Sequence, residues 1–198
     1  GIGAAPPGAT TTAIAMVGAA TSSSQRGVTA ILSRDNSADS VAGRYSISTE
    51  CIALTDTLGT IDYREDFVSF GSGIFTLNCI EQTAGARRVH YLALKGGSYK
   101  VGNLLTKTDG TDIVVTGLQN RPRAVFFASH CAAESTANAL NTEAKFSIGA
   151  FDSQSAIDPA RNRVCRCTKH EHSSTAADTG DAMRFDAVYA NILVTTAA

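Results

Sequence analysis

The sequence predicts an all-β fold: a single antiparallel β-sandwich or jelly-roll-like domain with little helix. Three observations carry this expectation. Apolar residues recur with a period of two, the repeat of a strand with one face buried. Turn signals punctuate the runs at Leu58-Gly59, Gly96-Gly97, Asp109-Gly110 and Asp178-Thr179-Gly180-Asp181. Their spacing leaves room for about ten short strands, the pattern of sandwiches and jelly rolls.

Residues 1–13 are expected to be a flexible arm, because a Pro/Gly/Thr segment with Pro6, Pro7 and Gly8 has little reason to fold on its own chain. They lack a basic leader and are not read as a signal peptide. Residues 14–198 are expected to form the sandwich domain. The polar stretches 21–27 (TSSSQRG) and 35–43 (DNSADSVAG) read as loops. Strands follow at YSIS, with Tyr45 and Ile47 on one face, and at TIDY, with Ile61 and Tyr63. GIFTLNC alternates Phe75, Leu77 and Cys79, and RVHYLAL sets Val89, Tyr91 and Ala93 against His90, Leu92 and Leu94. AVFFAS is apolar on both faces, as in a doubly covered central strand. KFSIGAF alternates Phe146, Ile148 and Ala150, and MRFDAVY alternates Met183, Phe185, Ala187 and Tyr189. Residues 132–144 are Ala-rich but also rich in Ser, Thr and Asn, and read as a short helix or an exposed loop. The predicted core is Phe75, Leu77, Val89, Tyr91, Ala124, Phe126, Phe146 and Ile148.

Composition narrows the function. The chain has 198 residues, enough for one domain with a sizeable core. Charged residues are only 18%, Trp is absent and the formal net charge is −1. That balance argues against nucleic acid, an anionic membrane or an acidic substrate as a general partner. The basic spots at 86–88 and 121–123 lack interleaved aromatics. No apolar run approaches the roughly 18–20 residues of a membrane-crossing helix, and no Asn-x-Ser/Thr sequon occurs. Five cysteines cannot all pair within one chain. Cys51, Cys79 and Cys131 lie in or beside apolar runs and read as reduced, buried thiols of a protein assembled in a reducing cytoplasm.

CRCTKHEH, residues 165–172, is the densest group of metal-ligating side chains. In an unbroken strand Cys165 and Cys167 share one face, and His170 and His172 the other, so the four cannot meet at one ion. Only a turn at Thr168-Lys169 or a bulge would gather them, and Thr-Lys is poor turn chemistry. The spacing matches no structural zinc pattern. Arg161, Arg163, Arg166 and Lys169 raise the local potential further and, with His170, form a basic strip read as a solvated sheet edge. No metal ligand is assigned.

Catalytic constellations are likewise weak. GSG at 71–73 lacks the strand–turn–helix setting of a nucleophile elbow. Gly18, Gly96 and Gly102 fit no phosphate loop. Asp62, Glu65 and Asp66, beside Arg64, read as a surface charge cluster rather than a carboxylate pair for glycoside hydrolysis. His90 reads as a hydrogen-bonded strand histidine. The sequence therefore assigns no catalytic residue and no cofactor, and the chain is not read as an enzyme.

Three segments carry a resemblance: DFVSFGSGIFTLNC (66–79), ARRVHYLALKGGSYKVGNLL (86–105) and VVTGLQNRPRAVFFASH (114–130). Together they resemble a type of tailed-bacteriophage virion structural protein. In that type a Phe-Thr-Leu-Asn strand is followed by a His-Tyr-Leu-Ala strand and a Gly turn. A Val-Gly pair and a Val-Thr-Gly-Leu turn then lead into an aromatic-Pro-x-Ala-Val strand. Here Asn120-Arg121 stand where that type has an aromatic before the proline. The resemblance implies a decoration, shell or tail-fibre component built in the host cytoplasm. Its partners would be its own copies and other virion proteins. A second reading is a lectin-like module for a host-surface glycan, using Tyr45, Tyr63, Tyr91, Tyr99 and Tyr189 as candidate platforms, although these mostly fit strand positions. A metal-dependent hydrolase is the third.

Overall fold

The structure is a computed structural model. It describes residues 12–34, 42–55, 61–82, 88–107, 109–130, 135–141, 143–152, 163–171 and 182–186. The described residues are all-β, with no helix among them and every strand pair antiparallel. In chain order the strands are β1 (Thr12–Ser22), β2 (Gln25–Arg34), β3 (Ala42–Ile47), β4 (Ile52–Thr55), β5 (Ile61–Phe70), β6 (Phe75–Gln82), β7 (Ala124–Ser129), β8 (Ser135–Asn141), β9 (Glu143–Asp152), β10 (Arg163–Glu171) and β11 (Ala182–Asp186). They form three sheets, of order β1-β2-β3-β8, β4-β5-β6 and β11-β10-β9-β7.

The core centres on β2. Its Val-Thr-Ala-Ile-Leu run is rich in β-branched residues, and Val28 to Leu32 are all buried. Alternation splits them between two layers. Val28 and Ala30 join Tyr45 of β3 and Ala53 of β4, with Met16, Ile47 and Ile61 packed around them. Ile31 faces the other way and packs on Phe146 of β9, with Ala15 and Ala128 beside it. The first sheet is thus covered on one face by β4–β5 and on the other by β7 and β9. A third cluster, Cys51, Ile52 and Phe67, extends the first layer towards Tyr63, Leu77 and Val89. Gly18 sits where β1 crosses the backbone at Cys51. A Cβ there would fall on the Cys51 carbonyl, so only glycine permits this approach.

Several expectations change. The 21–27 loop is the end of β1, a tight turn at Ser23-Ser24 and the start of β2, closed by Arg26 donating to the Ser23 carbonyl. Of the 35–43 loop, Ala42 and Gly43 belong to β3 and the rest lies outside the described residues. Thr12 and Ala13 of the expected arm begin β1, and residues 1–11 lie outside. The 132–144 segment is neither helix nor loop over Ser135–Asn141: it is β8, paired with β3. Its Ser, Thr and Asn favour no helix, and pairing with a sheet edge decides its state.

Among the described residues AVFFAS is an edge strand, not a central one, because β7 pairs there only with β9. Phe126 is 79% exposed and Ile148 44% exposed. Both share the strand parity of Ala128 and Phe146, which are packed against Ile31. The face was read correctly, but the covering sheet ends before reaching them. Ala124, Phe75 and Tyr91 are also exposed, while Leu77 and Val89 are half-buried and Phe146 is buried. Cys79 is exposed rather than buried, and Cys131 lies outside the described residues. The turn signals at Leu58-Gly59 and 178–181 and the residues 187–190 also lie outside. Gly96, Gly97 and Gly110 do adopt the positive φ expected of turn residues.

Candidate functional site

A polar network ties the link between β3 and β4 to β5 and β6. Glu50 is buried, and its carboxylate accepts from Tyr45 Oη at 3.0 Å and from an Arg64 terminal nitrogen at 3.0 Å. Arg64 Nε donates to Glu81 at 2.9 Å, so one guanidinium serves two carboxylates. Burial, then the bond to Glu50, pushes the Tyr45 phenol up to about 12. The predicted surface cluster is therefore rearranged: Arg64 pairs with Glu50 and Glu81, not with its neighbours in sequence. Glu65 instead accepts from the Tyr63 hydroxyl, which pushes that phenol up to about 12. Asp66 pairs with Arg26, whose NH2 group donates at 2.9 Å and whose Nε reaches the Thr49 carbonyl at 2.8 Å. Glu65 and Asp66 are adjacent on a strand and address different partners, so they do not converge on one reacting atom. Pairing of this kind holds elements together.

Cys51 lies in the third core cluster. Burial, then the charges of Asp66 and Glu65, pushes its thiol up to about 11, which keeps it protonated and a poor nucleophile. His130, at the end of β7, is buried, and desolvation lowers its pKa, with Arg44 adding to the effect. His90 is exposed beside the half-buried Val89.

The backbone of Cys165–Glu171 is continuous strand. β10 continues through Glu171 in unbroken register with β9, from Arg163↔Phe151 to Glu171↔Glu143. No turn occurs at Thr168-Lys169, so the route that would gather cysteines and histidines is not taken. β10 also lies between β9 and β11 over Cys165–Lys169, so Arg166 and Lys169 sit within the sheet and not on its edge, while Arg163 and His170 pair with β9 alone among the described residues. Arg161 and His172 lie outside the described residues.

The most distinctive surface is the excursion between β6 and β7. RVHYLAL was read as a strand, and its side chains are placed like one. Val89 packs with Leu77 on the Cys51–Ile52–Phe67 cluster, and the Tyr91 ring meets Phe75 edge-on at 5.1 Å. Two steps forward from Val89 match two steps back along β6, an antiparallel relation. Yet among the described residues no backbone–backbone hydrogen bond engages 88–117, and no ladder forms. The chain bends at Gly96-Gly97, where Tyr99 Oη donates to the Gly96 carbonyl at 2.5 Å. It bends again at Asp109-Gly110, where Asp109 accepts from the Thr111 amide at 3.0 Å. Lys100 Nζ reaches the Gly117 carbonyl at 2.7 Å and braces the two limbs of this second excursion. Where Asn120-Arg121 replace the aromatic, Gly117 and Gln119 take positive φ and the Asn120 amide donates to the Leu118 carbonyl.

Sequence reading missed this surface as a site because an exposed apolar strand and a buried one share the same alternation. No family model, curated protein or solved structure matches the chain.

Proposed function

We propose that the chain is a virion structural protein, a capsid decoration, shell or tail-fibre component, that works through contacts with its own copies and with other virion proteins. The observation that carries this reading is the balance of apolar surface. Seventeen large apolar residues are exposed among the described residues, against ten buried hydrophobic ones of all sizes. Monomeric proteins rarely leave contiguous apolar patches beyond a few hundred Å² uncovered. The near-zero net charge adds support, because copies of such a chain repel one another little. The resemblance of 66–79, 86–105 and 114–130 to a tailed-phage structural protein supplies the particle. In this reading the three sheets belong to one sandwich-like domain, which the Ile31–Phe146 and Tyr45–Ala53 packing supports. The work is contact rather than catalysis.

One observation favours the lectin-like reading: Tyr91 and Tyr99 are exposed, as platforms for a sugar ring would be. Electron microscopy of the concentrated protein and a glycan array separate the two. Regular assemblies without glycan binding are the expected result. Dispersed single molecules that bind a defined glycan would replace the first reading by the second.

A further inference from the structure

We propose that residues 88–107 and 109–117 are strands completed in trans: their backbone, without a ladder partner among the described residues, and their exposed apolar side chains pair with a second copy of this chain. This rests on the contact-protein reading above and names the surface that makes the contact. Four features of the segment converge. Its start, Arg88–Tyr91, alternates polar and apolar residues like a strand, and through Val89 and Tyr91 it is already aligned beside β6. Its backbone has no ladder partner among the described residues, which leaves a row of donors and acceptors of the kind that captures another strand. Its turns are fixed by Gly96, Gly97 and the Asp109–Thr111 bond, so little ordering remains to oppose docking. Its exposed apolar surface is large: Leu92 is 82% exposed, and Leu105 and Val114 are each 78% exposed.

Area and charge point to a second copy as the occupant. The nine large exposed apolar residues between 91 and 115 offer on the order of 1,000 Å² over both sides of the segment, and a stable interface needs about 800 Å² from each partner. Arg88, Lys95, Lys100 and Lys107 against Asp109 and Asp112 give the segment a net charge of +2. The whole chain carries −1, which leaves −3 on the remainder. Segment against segment would set like charges together, whereas the segment of one copy on the remainder of the next sets opposite charges together. A head-to-tail contact of this kind generates rings or filaments.

The test combines sedimentation with hydrogen–deuterium exchange on the full chain, for the wild type and for the double variant Leu92→Asp, Leu105→Asp. The expected result is a self-associating wild type whose amides across 88–117 are protected in the assembly and exchange freely at dilution. The double variant should keep the wild-type circular dichroism and melting temperature and associate at least about tenfold more weakly. If the wild type associates with protection elsewhere and the variant matches it, this surface is wrong and the contact-protein reading survives. If the wild type stays monomeric when concentrated, both fail. Should the variant misfold, the wild-type exchange pattern alone decides.

Discussion

Cys51 leads into β4 and Cys79 lies on β6, and the two thiols meet opposite conditions. Cys51 is packed with Ile52 and Phe67 and held protonated up to about 11, while Cys79 is exposed. An alkylating reagent at neutral pH, with sites mapped by mass spectrometry, should modify Cys79 in the folded protein and Cys51 only after unfolding. Equal labelling of both in the native state would contradict the packing described for Cys51. His130 gives a pH dependence. Burial lowers its pKa in the folded state, so the unfolded state, titrating near about 6.5, binds its proton first. The contribution is therefore intact above about 6.5 and is lost as the pH falls from there to the folded value. Urea midpoints should drop across that window, and His130→Gln should flatten the drop. A variant with the wild-type slope would remove His130 as its source. Neither property was legible in the sequence. Cys51 and Cys79 both adjoin apolar runs, and only the packed structure distinguishes a covered strand from an uncovered one.

β2 and β7 show the same limit at the scale of elements. Strand parity was readable: Tyr45 with Ile47 and Ile61 with Tyr63 do line the core layers. So was the absence of a turn at Thr168-Lys169, whose poor turn chemistry matches the continuous β10. What parity cannot show is where the opposing layer stops. β7 looked central because both of its faces are apolar, yet Phe126 lies beyond the reach of the first sheet. β2 was overlooked beside the polar Ser-rich turn that precedes it, yet it is buried on both faces. Truncation distinguishes the two strands. Leu32→Ala should cost roughly 2–5 kcal/mol, as a fully buried leucine does when a cavity is left behind. Phe126→Ala should cost less than about 1 kcal/mol in the dissociated chain, since little packing is removed. Denaturant melts measure both, and a larger loss at Phe126 than at Leu32 would reverse the assignment of core and edge.

Among the described residues, antiparallel sheets pack around ten buried hydrophobic residues and leave seventeen large apolar ones exposed. The long excursion from 88 to 118 is the largest part of that imbalance. Period-two alternation is the same whether a strand's partner is its own chain or another. The sequence reading therefore found a strand at RVHYLAL and placed Tyr91 in the core, where the structure leaves it 74% exposed. An apolar face with a free backbone is costly in water at high concentration and is relieved by association. The functional account thus depends on whether copies of this chain hold together. Sedimentation equilibrium over a wide concentration range tests it most directly. The account predicts a mass that climbs from about the 20.6 kDa of one chain to a defined multiple or an open series. A mass that stays at one chain throughout, with the fold intact, would contradict it.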